Sequence, residues 1–214
     1  MSRVLPILFN TEMVRAILDG RKTCTRRLVS SRQFLGMLPD KCKNAAPDEF
    51  LKGKRMMFKP YCDMTDAELI MTAYKAPYQP GDILYVRETW KKAPNGYYYY
   101  EDWQKDDIAD VTKWKPSIHM PKEAARIWLK VTDVRVERLQ DVTEDGAKAE
   151  GAIDNRWFIH SPENEYDRIH TARDHFIKIW NSTIKKSDID RYGWDANPYV
   201  WVISFERCEK PKGV

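Results

Sequence analysis

The stretch Gly20-Arg21-Lys22-Thr23-Cys24-Thr25-Arg26-Arg27 decides how the N-terminal part of this chain is read. Its glycine follows residues 11–19, where Met13, Val14, Ile17 and Leu18 recur on one face of a helix that Asn10 or Thr11 can cap. Gly20 suits the left-handed position after the last turn. Beyond it, Thr23, Thr25 and Val29 alternate in a β-leaning run, which predicts a strand over 23–29. Residues two apart in a strand share a face, so Thr23 and Thr25 are grouped with Arg21 and Arg27, with Lys22 at the corner. On spacing alone, a solvated basic turn accounts for such a charge run slightly better than a site does.

Working outward, residues 4–9 read as a strand. Residues 30–79 form a long irregular insert with Pro39, Pro47, Pro60 and Pro77, an apolar Met56-Met57 pair, and a candidate strand over 69–74. The turn Pro80-Gly81-Asp82 then feeds a strongly β-leaning strand over 83–90. A second insert, 91–123, carries Tyr97 to Tyr100, Trp103 and Trp114. Over 127–138 the apolar positions Ile127, Leu129, Val131, Val134 and Val136 alternate, slipping at Thr132-Asp133 as a bulge would. Thr143 caps a short helix through Glu150, and Gly151 stops it. Residues 168–181 give the clearest helix, and 199–206 a closing strand. The fold class expected is α+β: a small β-barrel of mostly antiparallel strands with flanking helices and two inserts, as one domain over 1–214.

With 214 residues, 43% hydrophobic and 32% charged, the chain suits a soluble globular protein. No apolar run is long enough to cross a bilayer, and Pro6 breaks the apolar N-terminus before any cleavage site, so neither membrane nor signal peptide is expected. Cys24, Cys42, Cys62 and Cys208 are scattered without a CxxC pair, which points to reduced thiols in the cytoplasm and away from a zinc ribbon. His170 and His175 are spaced to splay on a helix, and there is no HExxH, so no metal or cofactor is expected. A net charge of +4 permits an anionic partner without demanding one. Lys and Arg concentrate in 21–32 and 41–59, whereas acids dominate 101–110 and 141–154, which makes the N-terminal part the face for phosphates.

The order of these pieces resembles the ASCH family, a branch of the PUA-like superfamily of small β-barrels. The resemblance rests on the helix before the Gly20–Arg27 octapeptide, the Pro80-Gly81-Asp82 turn with its strand, the 141–151 helix and the 199–206 strand. Val86-Arg87-Glu88-Thr89-Trp90 and Trp194-Asp195-Ala196-Asn197-Pro198 resemble features of its larger phage and prophage members. The resemblance covers about half the chain, because 30–79 and 91–123 lie outside the minimal barrel. It implies RNA or nucleotide binding, RNA in preference to DNA, or hydrolysis of an acetylcytidine-like amide or of RNA. Carried over residue by residue, the catalytic lysine, threonine and glutamate of the amidohydrolase activity fall on Lys22, Thr25 and Glu150.

In such a site Thr25 is the nucleophile, Lys22 the base that takes its proton, and Glu150 the acid that protonates the leaving amine. Arg21 or backbone amides would face the oxyanion. Arg21, Thr23, Arg26 and Arg27 would bind substrate, with the site lying near Arg21 and Glu88. The same parts also make a binding cleft without chemistry. Arg87, Glu88 and Trp90 form a second candidate set, a base stacking on Trp90 while Glu88 accepts from its exocyclic amine. The alternative places Trp90 in the core and pairs Glu88 with an arginine. Tyr97 to Tyr100 read equally well as a stacking platform or as a half-buried hairpin. The rival to all of this is a non-enzymatic, phage-encoded interaction or regulatory module whose inserts grip a host protein. The oligomeric state stays open.

Overall fold

Capping and alternation explain most of the local structure. A computed structural model describes residues 2–33, 35, 65–102, 113–155 and 171–213. Asn10 accepts a hydrogen bond from the Met13 amide at 2.9 Å and starts α1 (Thr11–Leu18), which buries Met13, Val14, Ala16 and Ile17. Thr65 and Glu68 form a capping box that starts α2 (Asp66–Ala73). Thr143 and Thr171 cap α3 (Glu144–Ala149) and α4 (Ala172–Thr183), and α5 (Ile189–Tyr192) is a single turn.

The strands are β1 (Val4–Leu8), β2 (Cys24–Leu28), β3 (Ile83–Arg87), β4 (Trp90–Ala93), β5 (Gly96–Tyr99), β6 (Trp128–Arg138) and β7 (Tyr199–Cys208). Five of them form a mixed sheet in the order β1-β3-β6-β7-β2, and β4-β5 is a separate hairpin. β1 runs parallel to β3, from Val4 opposite Ile83 to Leu8 opposite Arg87, and the other ladders are antiparallel. The expected slip in β6 is a register shift between Val131 and Asp133.

The central strand β7 shows why the sheet is covered twice. Tyr199, Trp201, Ile203 and Phe205 pack with residues of α1 and α2, while Val200 and Val202 pack with residues of α3 and α4. A strand with period two that is apolar on both faces needs helices on both sides. A third cluster joins Tyr85, Trp90, Met120 and Trp128 beneath the hairpin.

Three expectations need correction. The sheet is open, not a barrel: β1 and β2 are its two edges, and no closed barrel is found among the described residues. In place of a closing ladder, the Arg27 guanidinium donates to the Leu8 carbonyl at 2.9 Å. Residues 69–74 are not a strand, because the Thr65–Glu68 box places Leu69, Ile70 and Ala73 on one buried helical face. The strand expected over 83–90 ends at Arg87; Glu88 and Thr89 turn the chain, and Trp90 begins the β4–β5 hairpin, in which Tyr97 to Tyr99 lie. The Met56-Met57 pair, Trp103 and most of the first insert lie outside the described residues. Among those described, no helix is long and apolar enough to cross a membrane.

Candidate functional site

The open edge of β2 carries a cleft of about 400 Å³. Its lining comes from both faces of the strand, because no strand among the described residues pairs with that edge. Thr25 and Arg27 lie opposite Ile203 and Trp201 and so belong to the α1 face; Arg26 lies opposite Val202 and belongs to the α4 face. Lys22 enters just before β2, where the amides of both Arg21 and Lys22 bond to the Ala16 carbonyl at 2.9 Å. Glu150 enters as the residue after α3. Phe9, Phe176 and Trp180 supply aromatic wall.

Lys22 and Glu150, 128 residues apart, meet in the wall of this cleft. The Lys22 ammonium donates to Glu150 Oε2, to the Glu150 carbonyl and to the Cys24 carbonyl, each at 2.8 Å. Three acceptors use all three of its protons. The Lys22 side chain is 1% exposed and that of Glu150 8%, so the pair is nearly dry. Arg26 Nη1 donates to the other carboxylate oxygen of Glu150 at 3.3 Å, and its Nε donates to Glu137 at 2.9 Å. Burial works against the Arg26 charge, but Glu150 and Glu137 outweigh it and hold the guanidinium above its ordinary range. Removing one partner of such a buried set is costly because it strands the other.

Gly151 makes the meeting possible. It adopts φ +93°, and a Cβ there would lie 2.8 Å from the Ala16 side chain. The end of α3 therefore approaches α1 more closely than any other residue would permit.

The remaining candidates are placed differently. Arg27 lines the cleft, with its guanidinium 5.5 Å from the Phe9 ring; Lys22 Nζ stands 5.3 Å from the same ring. Thr23 is exposed and precedes β2, its backbone tied to Ala149 and Phe205, and it does not line the cleft. Arg21 bonds to Asp19 and to the Gly151 carbonyl and does not line the cleft. Arg87 donates to the Ile118 carbonyl. Glu88 pairs with Arg126 through two bonds of 2.9 Å, and burial pushes its carboxyl above the ordinary range against that pairing. Trp90 is 4% exposed, packed on Tyr97 and under Lys115. Arg21 and Glu88, expected near the cleft, do not line it, while their chain neighbours Lys22 and Thr89 do, together with Ser117.

No family model, curated protein or solved structure matches this chain. The site therefore stands on its own geometry. Among the described residues, no three of His, Cys, Asp and Glu are grouped to hold a metal ion. Sequence reasoning missed Glu137, Phe9 and Phe176. Glu137 has no local signal, because only the β6–β7–β2 register brings it beside Arg26.

Cys24 sits against this charge network and is a built-in reporter. Burial, reinforced by Glu150, pushes its thiol up from 9.0 to about 12. In the folded protein it should resist iodoacetamide at pH 8 and react on unfolding, read by mass spectrometry of the labelled peptide. The raised value means that the native state keeps a proton the unfolded chain loses. Its stabilising contribution is complete below pH 9 and is lost as pH rises toward 12, so Cys24→Ala should flatten that alkaline decline. Rapid labelling of Cys24 in the native protein would contradict its burial.

Proposed function

We propose that the cleft binds a modified nucleoside, free or within RNA, and hydrolyses an acetyl amide on its base, with Thr25 as nucleophile and the Lys22–Glu150 pair as its proton relay. The observation that carries this reading is the 2.8 Å hydrogen bond between Lys22 Nζ and Glu150 Oε2 in the wall of the cleft that Thr25 also lines. The ASCH resemblance of the Lys22-to-Thr25 motif agrees with it.

An ammonium cannot take a proton and a carboxylate cannot give one. A single proton shift along that hydrogen bond turns the pair into an amine and a carboxylic acid, the forms the reaction needs. Lys22 then accepts the Thr25 hydroxyl proton as Oγ attacks the acetyl carbon. Glu150 protonates the base nitrogen as the C–N bond breaks, leaving an acetyl ester on Thr25 and the unmodified base. Water next attacks the ester, giving one proton to Glu150, while Lys22 returns a proton to the departing Thr25 oxygen. Acetic acid leaves and gives its proton to solvent as acetate, and the reverse proton shift restores the ion pair. Arg21, bonded outside the cleft, takes no part in this scheme. The aromatic wall of Phe9, Phe176 and Trp180 suits a planar base. The scattered cysteines, of which Cys24 and Cys208 are free thiols, support a cytoplasmic setting.

The test is acetate release from acetylcytidine by the purified protein. Thr25→Ser should retain part of the rate, because a hydroxyl remains, while Thr25→Val should lose about 10³-fold or more. Lys22→Ala should be equally inactive. Full activity in either Thr25→Val or Lys22→Ala would end the mechanism. A wild type that binds the nucleoside but releases no acetate would leave a binding cleft.

A further inference from the structure

We propose that Arg27 is the specificity-determining residue of this cleft, and that the ligand it selects carries a phosphate beside the reacting base. The ligand would then be a nucleotide or a nucleotide unit of RNA, preferred to a bare nucleoside. The inference rests on the nucleoside reading above and narrows its substrate class.

Among the described residues three cations line the cleft, and two are already neutralised. Lys22 has Glu150, and Arg26 has Glu137 and Glu150. Among the described residues Arg27 has no carboxylate partner, and its one side-chain hydrogen bond runs from Nη2 to the Leu8 carbonyl at 2.9 Å. Its Nε and Nη1 keep their donors for something else. A half-buried guanidinium facing a cleft with donors to spare favours an anion, and its planar fork matches two phosphate oxygens.

The position of Arg27 fixes what that anion belongs to. Thr25 and Arg27 are two apart on β2, so they share a face and stand about 7 Å apart along the strand. Lys22 and Arg27 both lie within 5.5 Å of the Phe9 ring centre, so the proton relay and the spare cation flank one aromatic surface. A ligand that places an acetyl amide at Thr25 and extends along this wall presents its sugar side to Arg27. Thr89 and Ser117 line the same cleft, and their hydroxyls can complete an anion's hydrogen bonds. An acetyl amide on a bare nucleoside leaves the Arg27 charge unanswered. A phosphate ester answers it.

The experiment is calorimetric titration of the full chain in a Thr25→Val background, so that no ligand is consumed. The ligands are acetylcytidine, its 5′-monophosphate, and a short RNA with one internal acetylcytidine. Arg27 should make the monophosphate bind roughly 10- to 100-fold tighter than the nucleoside. Arg27→Gln should bring that ratio close to one, and Arg27→Lys, which keeps the charge without the fork, should leave an intermediate ratio. A preference shown by the RNA and not by the monophosphate, and lost in Arg27→Gln, supports the proposal with the strand phosphate as the source. A ratio near one for both phosphorylated ligands overturns it. So does a ratio unchanged in an Arg27→Gln protein whose melting matches its parent; if that variant does not fold, an undiminished ratio in Arg27→Lys does the same. Acetate release by the wild type is read separately. Arg27-dependent preference without acetate retires the hydrolysis and keeps the phosphate site, whereas acetate release with a ratio of one does the reverse.

Discussion

Glu150→Ala is expected to lower the stability of the folded chain by about 3 to 5 kcal/mol, the range for breaking a buried ion pair from one side. The cost comes from what the substitution strands. Lys22, 1% exposed, would keep two carbonyl acceptors and lose the carboxylate that among the described residues pairs with it. Arg26 would keep Glu137 and lose its second partner. The reverse experiment separates charge from packing. Lys22→Met in the Glu150→Ala background removes the stranded ammonium, so part of the lost stability should return. Urea denaturation of the two single variants and the double variant gives the coupling directly. Additive losses, or a Glu150→Ala penalty under about 1 kcal/mol, would mean that the pair is neither dry nor coupled.

Gly151→Ala is the second large effect, at about 4 kcal/mol, because two penalties act on one residue. The new Cβ would meet the Ala16 side chain at 2.8 Å, and the φ of +93° is one that alanine resists. Gly81→Ala serves as the control. Gly81 has φ +89°, but a Cβ added there would have no atom within 4 Å, so it suffers the backbone strain alone, about 1 to 2 kcal/mol. The difference between the two variants measures how tightly α3 is pressed on α1. Since Lys22 leaves the end of α1 and Glu150 sits beside Gly151, prising these elements apart should also lengthen the Lys22–Glu150 contact. The proposed acetate release should then fall further in Gly151→Ala than in Gly81→Ala. Equal losses of stability in the two variants would refute the close approach.

Local chemistry made much of the framework legible. Asn10, Thr143 and Gly151 act through groups a few residues away, so their cap and stop roles can be read before any packing is known. The alternation in β6 and β7 is likewise local, and so is the bulge beside Thr132. Where local signals competed, the reading failed. Residues 69–74 carry apolar side chains compatible with either period, and the Thr65–Glu68 capping box just upstream decides for helix. Residues 83–90 look continuous because β-propensity runs through Glu88 and Thr89, yet Glu88 turns away to meet Arg126 and Trp90 pairs with Tyr99 in the hairpin.

Closure of the sheet was not legible at all. Strand count and antiparallel hairpins are equally compatible with a barrel and with an open sheet, and the parallel pairing of β1 with β3 depends on a crossover that no local rule records. The β2 edge, with which no strand among the described residues pairs, is what admits a cleft lined from both faces of one strand.

By itself, then, the sequence determined where helices start and stop, which strand positions are apolar, and that a lysine, a hydroxyl row and three guanidinium groups fall beside Gly20. Those properties depend on neighbours within one or two turns of chain. Only the tertiary structure decided that Glu150 meets Lys22, that Glu137 holds Arg26, that Arg21 and Thr23 stay outside the cleft, and that Arg27 is left without a carboxylate among the described residues. These outcomes depend on strand register and helix approach between segments distant in the chain, set by how the apolar faces of β7 and its four covering helices fit together.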